Sequence, residues 1–426
     1  MKKVFCILVA ICMLLATLPA VSMAETPVEV EYWFGLGGNL GQLFLDLIDE
    51  YNASQNAVHV TGVQYANYAA ANEAYQSALA AHMPPAMIHF QMTKMIKFEK
   101  YLEPLNSYYE DPEFNKDDIL AGCLSCMYGM DGETIYGAPL YASTQIMYYR
   151  KDVFEGYDID EVFSSWQKLA EACAEIVAKN DNITFGWMPM WNGDNWLDAV
   201  LSAGGNKYKD NSMKEVDYLS DAWIDVMTSF KKWMIEDKIM GMHSGGTGWA
   251  YWYANIDDVL NGISGGYTGS AGDLGDLDFN IVAAHKQPGW NGNGTRNTTD
   301  THMVVIAKDI PQEQKDAAWD FIKFLQKPSS QSKISQTSGY VATRKSVLED
   351  PDFQKYIEEN PQVSVILDAI DYTIKQPYDI TGGYIETAYH DMVDRILLEG
   401  EDVMSSLQTC QEEAQAALDE YWANAE

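Results

Sequence analysis

Residues 28–90 switch between two hydrophobic periods, and that switching limits the folds open to the chain. Val28-Glu29-Val30-Glu31-Tyr32-Trp33-Phe34 alternates with period two, as a strand does. After a glycine turn at 35–38, Leu40, Leu43, Leu47, Ile48 and Tyr51 recur at helical spacing. Residues 58–63 read as a second strand and 71–82 as a second helix, stopped by Pro84-Pro85. Ala86-Met87-Ile88-His89-Phe90 is a third strand, almost wholly apolar. Strand, helix, strand, helix, strand implies an α/β fold whose parallel sheet is covered on both faces.

A second unit begins near Tyr141, with a strand at 145–149. Ser165 is placed to cap a helix running from Trp166 to about Asn180. Residues 186–205 read as a loop holding Trp187, Trp191 and Trp196, and 221–237 as a helix. Residues 244–300 read as loop-rich, 301–308 as an apolar strand, and 312–325 as a helix. Beyond Tyr340 the pattern is mostly helical. With 426 residues, two or three domains or lobes are expected. No short repeat or low-complexity linker separates them, so the chain is expected to weave between two lobes.

The first residues read as an export signal. Lys2 and Lys3 precede an apolar run at 4–18, and Ser22-Met23-Ala24 suits cleavage after Ala24. The run is short for a membrane anchor. Cys6 and Cys12 lie too early for lipid attachment. The expectation is a signal peptide at 1–24 and a freely exported, periplasmic or extracellular chain that is not an integral membrane protein. A net charge of -34 argues against nucleic acid and against docking on anionic lipid. Four cysteines remain after the leader, too few for a disulfide framework. Cys123-x-x-Cys126 lacks the second pair or nearby His of a zinc site, and a local disulfide stays open.

Catalytic and cofactor motifs are not found. Gly35 to Gly41 lies where a dinucleotide fingerprint would, but Leu40 occupies the third required glycine position. A glycine turn at a helix start can still offer backbone N–H groups to a polar ligand. The seven histidines are scattered, with no metal-binding spacing, so neither a metal nor a cofactor is expected. Aromatic residues stand out instead. Trp187, Trp191 and Trp196 share a segment with Asn192, Asp194 and Asn195; Trp249, Tyr251, Trp252 and Tyr253 form another cluster; Trp290 sits among Gly and Asn. Indole plates beside amides and carboxylates suit the apolar face and hydroxyl rim of a sugar.

Several short segments in order resemble the family-one extracellular solute-binding proteins of ABC importers, which include maltose-binding and glycerol-3-phosphate-binding proteins. They are Tyr32-Trp33 leading to Gly38-x-x-Gly41, Asp49-Glu50-Tyr51-Asn52, Ala66-Asn67-Tyr68, Pro85-Ala86-Met87-Ile88 and Tyr101-Leu102-Glu103-Pro104-Leu105. Tyr136-Gly137-Ala138-Pro139, Tyr148-Tyr149-Arg150-Lys151-Asp152, Ser165 to Leu169, Ala317-Ala318-Trp319 and Ser338-Gly339-Tyr340 continue the series. The resemblance implies a two-lobed, type II-like binding-protein fold, each lobe a mainly parallel sheet flanked by helices, with a ligand cleft between them. Lobe 1 would take 25–141 and 297–338, and lobe 2 would take 142–296 and 339–426. It implies no catalysis, closure on a small ligand, and delivery to ABC permease subunits.

By the same resemblance the ligand residues would be Gly38, Asn39, Tyr68, Gln91, Thr93, Ser143, Trp191, Asp194, Trp196, Ser270, Tyr340, Tyr384 and Glu386. The glycerol-phosphate binders carry a phosphate-clamping Arg late in the chain. Here Thr381-Gly382-Gly383-Tyr384 has none, and Arg395 falls within a helix. A neutral carbohydrate, an oligosaccharide by preference, is therefore expected. A glycan-cleaving enzyme, or a binder of glycerophosphodiesters or peptides, are the alternatives.

Overall fold

A computed structural model describes residues 26–191, 195–246 and 249–425. The proposed leader and Asp194 lie outside the described residues. The first sheet holds strands β1 (Val28–Phe34), β2 (Val58–Gln64), β3 (Met87–Gln91), β4 (Gly137–Ser143) and β8 (Thr298–Ile306), in the order β2-β1-β3-β8-β4. A short β9 (Ile374–Lys375) pairs with β8. The second sheet is β6-β5-β7, from β5 (Gln145–Arg150), β6 (Gly266–Ser270) and β7 (Val282–His285).

The expected strand–helix alternation is present at the start. Helices Gly38–Ser54 and Tyr68–Ala80 connect β1 to β2 and β2 to β3, and these strands run parallel. Met87 to Phe90 of β3, at the centre of the sheet, are buried on both faces. The rest departs from a mainly parallel design. β8 is antiparallel to both β3 and β4, and β5 is antiparallel to both β6 and β7. The cause is where the chain enters and leaves each lobe. β4 runs to the junction and passes into β5 across one residue, Thr144. β7 must run back to the junction, because residues 286–297 lead from it into β8. A strand that enters from the junction and one that exits to it have opposite polarity.

Two further expectations are corrected. Residues 186–205 contain a helix, Asn195–Ser202, and 244–300 contain the helix Ala250–Leu260 together with β6 and β7. The part of the chain assigned to lobe 2 from 339 onward is divided. Lys345–Glu349 and Pro351–Glu359 pack on helix Pro328–Ser338 of the first lobe. Tyr384–Leu397 and Val403–Ala425 pack on helix Asp221–Lys231 of the second. The Ser165 cap is as read: its hydroxyl accepts from Lys168 N–H and starts the helix Trp166–Lys179. Cys123 and Cys126 are both buried and are not bonded to each other, so the local disulfide is not formed. Among the described residues, no helix is long and apolar enough to cross a membrane, and no group of three or more His, Cys, Asp or Glu could hold a metal ion.

Candidate functional site

The carboxyl ends of β1, β2, β3 and β4 lie on one edge of the first sheet, which is where open α/β sheets bind ligands. The helices Gly38–Ser54 and Tyr68–Ala80 begin at that edge, and neither has an acidic residue in its first turn. Gly35 makes the close approach possible. A Cβ there would stand 2.3 Å from the carbonyl carbon and oxygen of Asn67. Gly38, with φ +53°, and Asn39 are exposed at the first helix start. Gln91 ends β3 half-buried, and Thr93 is exposed in the next turn.

Side chains from four segments meet where the lobes join. The Tyr68 hydroxyl lies 3.1 Å from that of Tyr141 on β4, and the Tyr340 ring stacks on Tyr141 with centroids 5.1 Å apart and planes 11° apart. Ser143 Oγ, at the end of β4, is 2.9 Å from Ser270 Oγ, at the end of β6. This hydroxyl pair joins the two sheets, and each oxygen keeps capacity for a further bond. Four residues expected from the sequence, Tyr68, Ser143, Ser270 and Tyr340, are thus brought together with Tyr141, which was not.

Beneath this floor lies a buried imidazole pair. His89 Nε2 is 3.1 Å from His302 Nδ1, and Tyr141 stacks on His302 at 4.6 Å. Burial holds both imidazoles well toward the neutral form. His89 Nδ1 has no partner, so the tautomers assigned from the pattern put the His89 proton on Nε2, donating to His302. The His302 Nε2 proton then points toward Asp300, whose Oδ2 is 3.8 Å away.

The second lobe supplies an aromatic ledge. Trp191 meets Tyr251 edge to face at 4.8 Å, Tyr251 lies 6.2 Å from Trp249, and Trp249 lies 5.9 Å from Trp252. Trp249 is 64% exposed. Trp191 Nε1 donates to Asp394 and Trp252 Nε1 to Asp273. Asp273 is 5% exposed and also accepts from the Tyr267 hydroxyl and from Ser270 N–H. It therefore ties the ledge to Ser270. Burial pushes its carboxyl up to about 7, against the pull of those three donors.

That shift has a stability consequence. The folded chain keeps a proton that the unfolded chain releases near pH 4, so stability falls as pH rises through about 4 to 7. The Asp273→Asn variant should lose this component. Its unfolding free energy, followed by urea titration, should fall between about pH 5 and about pH 8 by roughly 2–3 kcal/mol less than that of the wild type. Equal slopes would show that the carboxyl titrates normally.

Other expected positions stand apart. Trp196 is 1% exposed, packed edge-on against Phe230 at 4.9 Å, and so is core and not a plate for a ligand. Trp187 and Trp290 are buried in the same way. Trp290 is followed by a turn at 291–292, closed by its backbone pairing with Asn293. Glu386 pairs with Lys207 at 2.7 Å, a lysine whose side chain is 1% exposed. Tyr384 is 71% exposed at the start of its helix. Sequence reading missed His89, His302, Asp300 and Asp273, whose partners arise only from strand register and loop packing.

Residues 46–362 match the family described as bacterial extracellular solute-binding protein. The sn-glycerol-3-phosphate-binding periplasmic protein UgpB of Rhizobium meliloti is 23% identical over 354 residues, 79% of this chain and 80% of the relative. Among solved structures, the sugar-binding protein MalE of Xanthomonas citri aligns with a TM-score of 0.82 at 18% identity, covering 94% of this chain and all of that one. UgpB of Mycobacterium tuberculosis, in complex with glycerophosphocholine, aligns with a TM-score of 0.73 at 18% identity, covering 92% and 98%. At these identities the two structural matches establish a shared fold.

Proposed function

Because the chain belongs to the bacterial extracellular solute-binding proteins, we propose that it captures a neutral carbohydrate between its lobes and hands it to the permease of an ABC importer after export. A binding protein releases its ligand unaltered, so the glycan-cleaving alternative is set aside. The observation that carries the choice of ligand is the chemistry of the lobe junction. Tyrosine faces, the paired serine hydroxyls and the indole ledge line it, and its acidic groups are Asp300 and Asp273, the second held toward its protonated form by burial. Among the described residues, neither Lys nor Arg bonds to any of these groups. The names of the curated relatives favour glycerol 3-phosphate instead, but a phosphate needs a cation or an Arg fork to replace its water.

The energetics require both kinds of contact. Micromolar affinity needs about 8 kcal/mol. Burying about 200 Å² of sugar C–H face yields roughly 5 kcal/mol. Hydrogen bonds at about 1 kcal/mol each supply the rest and offset ordering costs. Closure follows if only the closed state makes contacts from both lobes.

A thermal-shift screen of neutral sugars against glycerol phosphates and peptides tests the reading, since bound ligand raises the melting temperature. At least one neutral sugar should raise it by more than about 3 °C, and Trp191→Ala or Trp252→Ala should weaken that sugar at least about tenfold by calorimetry. A response to glycerol phosphates alone would reverse the assignment.

A further inference from the structure

We propose that Asp300 is a specificity-determining contact of this cleft, accepting hydrogen bonds from the hydroxyls of a bound neutral sugar and turning away phosphorylated polyols. The inference rests on the neutral-carbohydrate reading and names a residue that carries it. Asp300 is the third residue of β8 and stands opposite Ser143 in the β4–β8 register, at the lobe junction. Its Oδ1 is buried and has no hydrogen-bond partner. Its Oδ2 is 3.8 Å from His302 Nε2, too far for a hydrogen bond.

Its neighbours do not neutralise it. Burial keeps His302 toward the neutral form, and among the described residues no Lys or Arg pairs with Asp300. Tyr68 and Tyr340 both lie beside the His302 ring that Asp300 faces, with centroids 5.2 Å and 6.4 Å from it, and the carboxylate disfavours ionisation of both phenols. A carboxylate with an oxygen removed from water and left without a donor is costly. A ligand that brings hydroxyl donors removes that cost. A ligand that brings a second anion adds like-charge repulsion in a partly desolvated site. Binding energy is thus available to a polyol and withheld from its phosphate ester, and discrimination of this kind needs no cation.

Calorimetry on the full exported chain separates the possibilities. Wild type and Asp300→Asn are titrated with maltose, maltotetraose, D-tagatose and sn-glycerol 3-phosphate. Wild type should bind at least one of the three sugars. Asp300→Asn, which keeps shape and loses charge, should weaken that sugar at least about tenfold and bring glycerol 3-phosphate closer to it, with the melting temperature of the ligand-free protein changed by less than about 2 °C. Asp300→Ala should weaken the sugar at least as much. Wild-type protein that binds none of the sugars overturns the neutral-carbohydrate reading itself. Sugar binding that survives Asp300→Asn within about twofold overturns the role of Asp300 alone.

Discussion

Trp196→Ala should lose roughly 3–5 kcal/mol of unfolding free energy, with any effect on sugar affinity secondary to that loss. The indole belongs to an aromatic core centred on Phe230, which meets Trp196 at 4.9 Å, Trp166 at 5.0 Å and Trp233 at 5.1 Å, each close to perpendicular. Removing the indole opens a cavity that these rings cannot close without leaving their edge-to-face contacts. Trp196 Nε1 has no hydrogen-bond partner, so the loss is one of packing. Urea denaturation reads the change directly. A loss below about 1 kcal/mol together with a large drop in ligand affinity would place Trp196 at the ligand after all.

Gly35→Ala should abolish ligand binding, by at least about a hundredfold, and cost roughly 1–3 kcal/mol or more of stability. The added Cβ would stand 2.3 Å from the carbonyl of Asn67 and 2.5 Å from Tyr68 N, and backbone atoms cannot swing aside as a flexible side chain can. Relief requires moving the turn that positions Tyr68, which breaks its contact with the Tyr141 hydroxyl. Gly37→Ala is the control. A Cβ there meets nothing within 4 Å, so affinity should match the wild type, and the exchange of a glycine N-cap for alanine should cost no more than about 1 kcal/mol. Equal calorimetric affinity of Gly35→Ala and wild type would show that the Asn67-Tyr68 turn takes no part in binding.

Periodicity exposed the parts of the fold that are local. The first three strands and their two helices are written in residues 28–91, because each element's buried face repeats within itself. Strand polarity in the second lobe is not written locally, since it depends on which end of the sheet the chain enters. At the site, Tyr68, Ser143, Ser270 and Tyr340 were reached through motif resemblance. Asp300 carries no such signal, because its significance comes from facing Ser143 across 157 positions of sequence in the β4–β8 register. Trp187, Trp196 and Trp290 are buried, and for Trp290 the reason is the turn that follows it. Gly, Asn and Asp around a tryptophan mark a turn, and a turn can cover a ring as readily as expose it. Trp249 and Trp196 have equally polar surroundings in sequence and opposite fates in the fold.

Thr144 alone separates β4 from β5. Its hydroxyl donates to the Thr298 carbonyl, and the Thr299 hydroxyl donates to the Ser143 carbonyl, so the two chain crossings are laced together. Successive side chains of a strand point to opposite faces, which makes the length of this joint a question of parity. One residue inserted after Ser143 would exchange Ile146 and Tyr148 with Met147 and Tyr149, and would turn Arg150 away from the carbonyls of Val259 and Leu260 that it holds. Insertions and deletions should therefore accumulate in the outer loops of both lobes, while the spacing between Ser143 and Gln145 stays fixed for as long as the protein works.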